Sequence, residues 1–189
     1  MIPKKKHDSQ RSISRKWRWL IVILYVIAIY AFLPFGSRLW IYILTRYGKN
    51  GSYLGIVLIF MVGIYFLYYL IFRKQVRNIY PYISFFLISL TCVALLKYIC
   101  IFSAERFHLL MYGALSIIVF WAMKPDVKRK VIYAYTTLMV FAVGGVDEVI
   151  QFFLPMRFFD VRDIFLNWAS STLGILFIIF VLKPEQEIA

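Results

Sequence analysis

The stretch Asp147–Asn167, DEVIQFFLPMRFFDVRDIFLN, decides how this chain folds. It gathers many polar side chains within a sequence that is otherwise mostly apolar. Those side chains belong to Asp147, Glu148, Gln151, Arg157, Asp160, Arg162, Asp163 and Asn167. Ionisable groups near hydrocarbon are costly, so each one requires a partner, a water-filled site or a function. The stretch therefore predicts a polar site inside an apolar protein.

The composition around this stretch is that of a membrane protein. Of the 189 residues, 62% are hydrophobic and 16% are charged, whereas a soluble domain is about half apolar and about a quarter charged. The apolar residues also form runs of about 20, the length that crosses a bilayer. We therefore predict an all-α fold, a polytopic membrane helical bundle with about six transmembrane helices. The transmembrane domain covers residues 19–182, between an N-terminal tail (1–18) and a C-terminal tail (183–189).

Six apolar runs define the predicted spans. They cover residues 19–35, 53–72, 81–102, 107–123, 131–154 and 163–182. Pro34 and Gly36 end the first of them, and the aromatic and basic segment 37–52 is typical of a separate interfacial segment. The basic, weakly apolar residues 1–18 predict an unstructured tail.

The distribution of positive charge predicts the orientation. The net charge is +13, and Lys and Arg are enriched in cytoplasmic loops of membrane proteins. With a cytoplasmic N-terminus, the segments on that side hold 15 of the 22 Lys and Arg residues and the opposite loops hold 6. Both termini are thus expected in the cytoplasm of a multi-pass cell-membrane protein. No nucleic-acid-binding motif accompanies the charge, so nucleic acid is excluded as a partner.

Helical spacing extends the polar stretch into a candidate site. Side chains three or four positions apart share a helix face, which groups Glu105, His108 and Tyr112 on the fourth span. The predicted topology brings the start of this span, the end of the fifth and the start of the sixth to one outer face. The candidate catalytic residues are therefore Glu105, His108, Tyr112, Asp147, Glu148, Gln151, Arg157, Asp160, Asp163 and Asn167. Lys97, near the outer end of the third span, is a further candidate for the same cluster.

The order of these residues resembles a known family pattern. The pattern reads Asp-Glu-x-x-Gln, then Pro-x-Arg, then Asp-x-x-Asp-x-x-x-Asn, then Gly. In this chain it is carried by Asp147, Glu148, Gln151, Pro155, Arg157, Asp160, Asp163, Asn167 and Gly174. It resembles the VanZ-like family of membrane proteins, and the motif of Glu105, His108 and Tyr112 is similar to that family's earlier polar motif.

The resemblance covers residues 105–182, with departures at Met156 and Ser170, where the family pattern has glycine. It implies a VanZ-like transmembrane domain. Because the family's namesake is associated with teicoplanin resistance in Gram-positive bacteria, it also implies an envelope protein that alters sensitivity to glycopeptide antibiotics. It implies no reaction, so whether the chain is an enzyme stays open.

The residues leave several chemistries open. Four bases (Lys97, Arg106, Arg157 and Arg162) face five acids, and pairing between them would hold the helices in register. Alternatively, paired carboxylates near a histidine can run acid–base chemistry or bind a divalent cation. Zinc is a poor fit because the motif offers one histidine and no cysteine at that face. Arginines at the outer leaflet can also bind a phosphate or a carboxylate.

Three functions follow as hypotheses. The first is the VanZ-like envelope role, and the second is a membrane enzyme that acts on a lipid or lipid-linked substrate at the outer leaflet. The third, a small transporter, is weaker because the polar residues gather at one face, whereas transport requires polar groups near the midplane. The expected partners are the lipid bilayer and either an anionic lipid or a lipid-linked cell-wall precursor. The sequence identifies no cofactor or metal.

Overall fold

The computed structural model describes residues 4–154 and 160–182, with side chains from residue 15 onward except those of residues 129 and 130. This part of the chain contains seven helices and no strand. The helices are α1 (Lys4–Tyr47), α2 (Lys49–Ser52), α3 (Leu54–Tyr68), α4 (Tyr80–Tyr98), α5 (Arg106–Met123), α6 (Arg129–Phe153) and α7 (Val161–Phe177). A π-helical turn follows α3 at Tyr69–Arg73, and another follows α7 at Ile178–Leu182.

Six of the described helices, all but α2, are long and apolar enough to cross a membrane, with α3 and α7 each counted together with the π-helical turn that follows it. This result confirms the predicted all-α membrane bundle with six transmembrane helices. The second to sixth predicted spans agree with α3 to α7 within a few residues. The third ends earlier than predicted, at Tyr98, because the chain turns there before α5 begins.

The helix that contains the first predicted span is longer than that span at both ends. Helix α1 continues through Pro34 as far as Tyr47, because a membrane helix tolerates proline where neighbouring groups satisfy the freed backbone. The extension is held by Trp40, whose indole N–H donates to Ser103 Oγ at 3.2 Å and whose ring meets that of Phe107 edge-on. At its start, α1 already includes residues 4–18, so the prediction of an unstructured tail is wrong for them.

Gly48 ends α1. Its φ of 54° lies in the left-handed region, which glycine enters without the steric penalty that a Cβ brings. Its N–H donates to the carbonyl oxygen of Leu44 at 2.8 Å. Glycine in this position commonly terminates helices, so a local sequence signal, rather than Pro34, sets the end of α1.

Helices α5 and α7 form the centre of the bundle. In each of these two helices, half of the most apolar 18-residue stretch is buried inside the bundle. The corresponding share is 11% for α3 and 6% for α4. The α5–α7 seam contains Gly113, Ser116, Ser171 and Gly174, and the Ser116 hydroxyl lies 3.0 Å from the carbonyl oxygen of Tyr112 and 3.2 Å from that of Ser171. Small residues permit this close approach of two helix backbones in a membrane protein.

The remaining helices surround this seam. Helix α6 packs on both α5 and α7, and α1 packs on α5 and α6. Helix α3 contacts α5, and α4 contacts α7 and its π-helical turn. The start of α5, the end of α6 and the start of α7 lie together, and we call this the polar end of the bundle. The convergence of these helix ends confirms the predicted topology, whereas the orientation across the membrane stays a prediction.

Candidate functional site

A buried polar network occupies the polar end between α5, α6 and α7. Helix α5 provides two of its side chains, α6 provides three and α7 provides one. The members are His108, Tyr112, Asp147, Glu148, Gln151 and Asn167. The exposed fraction is at most 1% for each of them except His108, for which it is 7%. Six polar side chains have thus been withdrawn from solvent and lipid into the helix interface.

Tyr112 connects α5 to α6 within this network. Its hydroxyl donates to Asp147 Oδ2 at 2.7 Å, and both side chains are fully buried. A hydrogen bond to a carboxylate is about twice as strong as one between neutral groups. The pair is separated by 35 positions in the chain, so it forms only when the two helices pack.

His108 connects α5 to α7. Its Nδ1 lies 2.6 Å from Asn167 Oδ1, and Asn167 Nδ2 donates to the carbonyl oxygen of Gly144 at 3.3 Å. The carbonyl oxygen of Gly144 can only accept a hydrogen bond, so the NH₂ group of the Asn167 amide faces it and the amide oxygen faces His108. Nδ1 of His108 is therefore the protonated nitrogen of the neutral ring. This assignment leaves Nε2 as the acceptor in the neutral form.

Gly144 is required for this arrangement. A Cβ at this position would lie 3.0 Å from Asn167 Cβ and 3.4 Å from Tyr112 Cε1. At the neighbouring Gly145, a Cβ would meet nothing within 4 Å. The first glycine therefore allows α6 to approach the network side chains closely, whereas the second is open to substitution.

Glu148 and Gln151 form the part of the network nearest the end of α6. Gln151 Nε2 donates to Glu148 Oε1 at 2.8 Å. The backbone N–H of Asp160 lies 3.5 Å from Glu148 Oε2, so Glu148 is close to the point at which the chain enters α7. A carboxylate in this position receives donors from both its own helix and the next.

Asp160 and Arg162 lie at the mouth of the site. Asp160 Oδ1 caps α7 by accepting from the Arg162 backbone N–H at 2.8 Å, and the Arg162 guanidinium forms an ion pair with the same carboxylate. Hydrogen bonds from the Arg162 side chain lower the pKa of Asp160 below its ordinary value. The mouth therefore carries a carboxylate that remains ionised at neutral pH.

Glu105 lies at the opposite side of the mouth. Its Oε2 accepts from the Phe102 backbone N–H at 3.1 Å, and the residue is only 7% exposed. Burial raises the pKa of Glu105, and the charge of Asp163 raises it further. The pKa values of the two acids at the mouth therefore shift in opposite directions. That of Asp160 falls because it has an arginine partner, and that of Glu105 rises because it is buried near a second acid.

The structure brings together nine of the ten sequence-predicted site residues. Six form the buried network, and Glu105, Asp160 and Asp163 lie at its mouth. Arg157 lies outside the described residues, as do Pro155 and Met156. Gly174, the last residue of the family-like pattern, lies in the seam instead.

Two basic residues take no part in the predicted pairing with acids. Lys97 is exposed, and its ammonium lies 5.1 Å from the ring centroid of Tyr98. Arg106 donates to the carbonyl oxygen of Ser52, which ties α2 to the start of α5. Among the described bases near the site, Arg162 forms the ion pair, so the hypothesis that all four bases pair with the acids is wrong for Lys97 and Arg106.

Tyr30 is a neighbour of the network that sequence reasoning missed. Its hydroxyl donates at 2.9 Å to the carbonyl oxygen of Val143, which lies one helical turn before Asp147 on α6. A tyrosine within an apolar run of α1 carries no local signal of this position. Only the packing of α1 against α6 reveals it.

The network contains side chains that can hold and transfer protons. Its two carboxylic acids, phenol and imidazole are groups used in general acid–base chemistry, and they form three hydrogen-bonded pairs: Tyr112 with Asp147, Gln151 with Glu148, and His108 with Asn167. Among the described residues, no group of three or more His, Cys, Asp or Glu side chains is arranged to hold a metal ion.

No family model, curated protein or solved structure matches this chain. The fold and the site therefore define its class: a helical membrane bundle with a buried polar network at one end.

The cap of α7 supports a prediction. We expect Asp160→Ala to destabilise the protein by about 0.5–2 kcal/mol, because it removes the acceptor for the first turn of α7. Asp160→Asn keeps a cap acceptor and loses only a partly exposed ion pair, which contributes about 0.2–1 kcal/mol. Thermal unfolding in detergent micelles, followed by circular dichroism, measures both variants.

The pH dependence of this effect has a defined sign. Because the folded pKa of Asp160 is lowered, its contribution is present above the ordinary aspartate pKa of about 3.9 and is lost as pH falls below it. The difference between wild type and Asp160→Ala should therefore shrink below about pH 4. A difference that grows under acid would contradict the assigned cap.

Proposed function

We propose that this chain is a VanZ-like integral membrane protein of the bacterial envelope, which alters sensitivity to glycopeptide antibiotics of the teicoplanin type. The observation that carries the proposal is the convergence of the motif residues. Side chains far apart in sequence, such as His108 and Asn167 or Tyr112 and Asp147, meet in one buried network. Ionisable groups inside a membrane protein are costly and most often serve a function.

The charge distribution supports an outer position for the network. The segments at the opposite end of the bundle from the polar end hold 15 of the 22 Lys and Arg residues. By the positive-inside rule these segments face the cytoplasm, so the polar end faces the outside of the cell. At the outer surface, the network is within reach of envelope precursors and of surface-acting antibiotics. Arg162 at the mouth adds a cation that can contact an anionic headgroup or precursor.

The test uses a teicoplanin-susceptible Gram-positive host that expresses the protein. We expect wild type to raise the minimal inhibitory concentration of teicoplanin and Glu148→Gln to return it to the value for the empty vector. Glutamine keeps the volume of glutamate and removes its charge, so the bundle should still assemble. Immunoblots of membrane fractions and size-exclusion profiles verify equal amounts of folded protein.

Asp126→Asn is the matched control. Asp126 lies at the other end of the bundle and pairs with Arg15 across 3.6 Å, where the two side chains are 36% and 57% exposed. The same change of acid to amide there should leave the inhibitory concentration unchanged. Full protection by folded Glu148→Gln, or no protection by wild type, would contradict the proposal.

A second candidate is a membrane enzyme that acts on a lipid or lipid-linked substrate at the outer leaflet. The observation in its favour is the presence of His108, Tyr112, Asp147 and Glu148 in one network, in which hydrogen bonds orient the imidazole. Mass spectrometry of envelope lipids and precursors should then show a product in wild-type cells that is missing with Glu148→Gln. Identical lipid profiles would exclude an enzyme of this kind, whatever the antibiotic result.

A transporter is the third candidate and has less support. The described polar network lies at one end of the bundle, whereas an alternating-access path requires polar groups near the midplane. Uptake of a solute into proteoliposomes that contain the protein, above the level in empty liposomes, would support a transporter.

A further inference from the structure

A second feature of the bundle lies on the other side of the α5–α7 seam. It is a cavity of about 620 Å³ with walls from α3, α4, α5 and α7 and a contribution from Tyr25 of α1. This volume falls within the range of about 300–1,000 Å³ that is typical of ligand sites. None of the six network side chains lines it.

The cavity presents an almost entirely apolar surface. Its lining contains the hydroxyl groups of Tyr25, Ser89 and Ser170. Each of these hydroxyls already donates to a backbone carbonyl oxygen. Tyr25 donates to Met111 at 3.2 Å, Ser89 donates to Phe85 at 2.8 Å, and Ser170 donates to Leu166. The remaining lining is aliphatic, aromatic or glycine apart from the sulfur-containing Cys92 and Met111. An occupant therefore needs hydrocarbon rather than hydrogen-bonding groups.

The cavity is elongated. Its α4 wall runs from Phe85 to Leu96, which at 1.5 Å per residue is roughly 16 Å along the helix. The cavity therefore extends along α4, and an extended hydrocarbon chain fits this shape.

The cavity opens toward the position of the lipid. Lining residues on α3 and α4 are exposed on the outside of the bundle, with values of 59% for Phe60, 66% for Ile64 and 47% for Val93. These helices are long and apolar enough to cross a membrane, so this face meets the hydrocarbon core of the bilayer. The abundant slender hydrocarbon in that region is the acyl chain of a phospholipid.

We propose that the cavity between α3, α4, α5 and α7 is a lipid site that holds one acyl chain of a bilayer phospholipid. The chain enters between α3 and α4 and lies along α5, where Leu109, Gly113 and Ala114 contact it. The site goes beyond the antibiotic role proposed above and does not depend on it.

Gly63 and Gly113 allow the cavity to be filled from two sides. A Cβ at Gly63 would have Phe85 Cζ at 3.9 Å as its nearest neighbour, and one at Gly113 would have the Ser170 carbonyl oxygen at 3.9 Å. Both are ordinary contacts, so Gly63→Leu and Gly113→Leu extend side chains into the cavity. Gly145→Leu is the matched control, because Gly145 faces open space on α6 and does not line the cavity.

The test is photolabelling in nanodiscs that contain phosphatidylglycerol with a diazirine in one acyl chain. Peptide mass spectrometry compares the label on the α5 peptide that includes Leu109 with the label on Phe152 and Phe153, which are 65% and 77% exposed and report ordinary lipid contact. We expect α5 to be labelled in wild type and Gly145→Leu. Labelling of α5 should fall about fivefold or more in both cavity-filling variants, because an added side chain and an acyl chain cannot occupy the same volume.

Each other outcome would overturn the proposal. Wild type without label on α5 would mean that the cavity admits no acyl chain. Unchanged labelling in the two filled variants would mean that α5 is reached by another route. Disulfide-linked dimers of an Ile64→Cys variant, formed while α5 carries no lipid label, would show a second copy on this face, since Ile64 is 66% exposed. Because the wild-type result alone can refute the site, failure of one variant to fold leaves the test intact.

Discussion

Replacing Gly174 by alanine should destabilise the bundle by about 1–3 kcal/mol, the usual cost of overpacking a core. A Cβ on Gly174 would lie 2.9 Å from the Gly113 carbonyl oxygen and 2.9 Å from Ser116 Cβ. The first of these atoms is backbone, so no side-chain rotation can relieve the contact. The α5–α7 seam must widen instead, and the hydrogen bond of Ser116 to Ser171 lengthens with it.

Gly113→Ala is the control for this substitution because it changes the other glycine of the same crossing. Its Cβ would meet only the Ser170 carbonyl oxygen at 3.9 Å, so its effect should be small. The midpoint of thermal unfolding in detergent, followed by loss of the monodisperse size-exclusion peak, compares the two variants. Equal midpoints for Gly174→Ala and Gly113→Ala would contradict the close approach of the two helices at Gly174.

Tyr112→Phe should destabilise the protein by about 1.5–3 kcal/mol, the range for a hydrogen bond to a charged group. The substitution removes the hydroxyl that donates to Asp147 Oδ2 at 2.7 Å and keeps the ring. Because both residues are fully buried, water cannot replace the donor without opening the helix interface. The main consequence should be a weaker association of α5 with α6.

Tyr135→Phe is the corresponding change at an exposed position. Tyr135 is on α6 and is 52% exposed, so loss of its hydroxyl should shift the midpoint little. Thermal unfolding of both variants in the same detergent makes the comparison. If Tyr112→Phe is no less stable than Tyr135→Phe, the hydrogen bond to Asp147 contributes nothing measurable.

These stability variants and the proposed functional variants separate two roles of the polar end. Tyr112→Phe tests whether the network holds the helices together. Glu148→Gln tests whether a charge within the network is needed for a function in a bundle that still assembles. Suppose that folded Glu148→Gln no longer protects cells from teicoplanin, whereas folded Tyr112→Phe still does. This result would assign the function to the Glu148 carboxylate rather than to helix packing.

Most of the fold could be predicted from hydropathy, because a bilayer requires helices of about 20 apolar residues. This length requirement located α3 to α7 within a few residues. It failed for α1, where Pro34 and Gly36 suggested an end. The contacts of Trp40 with Ser103 and Phe107 come from distant parts of the chain, so no local pattern could show that the helix continues.

The membership of the site was also predictable, and its internal connections were not. Helical periodicity and the order of spans determined by themselves that residues of α5, α6 and α7 meet at one end. Only the tertiary structure decided that Tyr112 donates to Asp147, that His108 meets Asn167, and that a separate apolar cavity lies behind the seam. The physical reason is that spacing determines which face of a helix a residue occupies, whereas the partner across an interface depends on how closely two backbones approach. In this chain, Gly144 and Gly174 allow that approach.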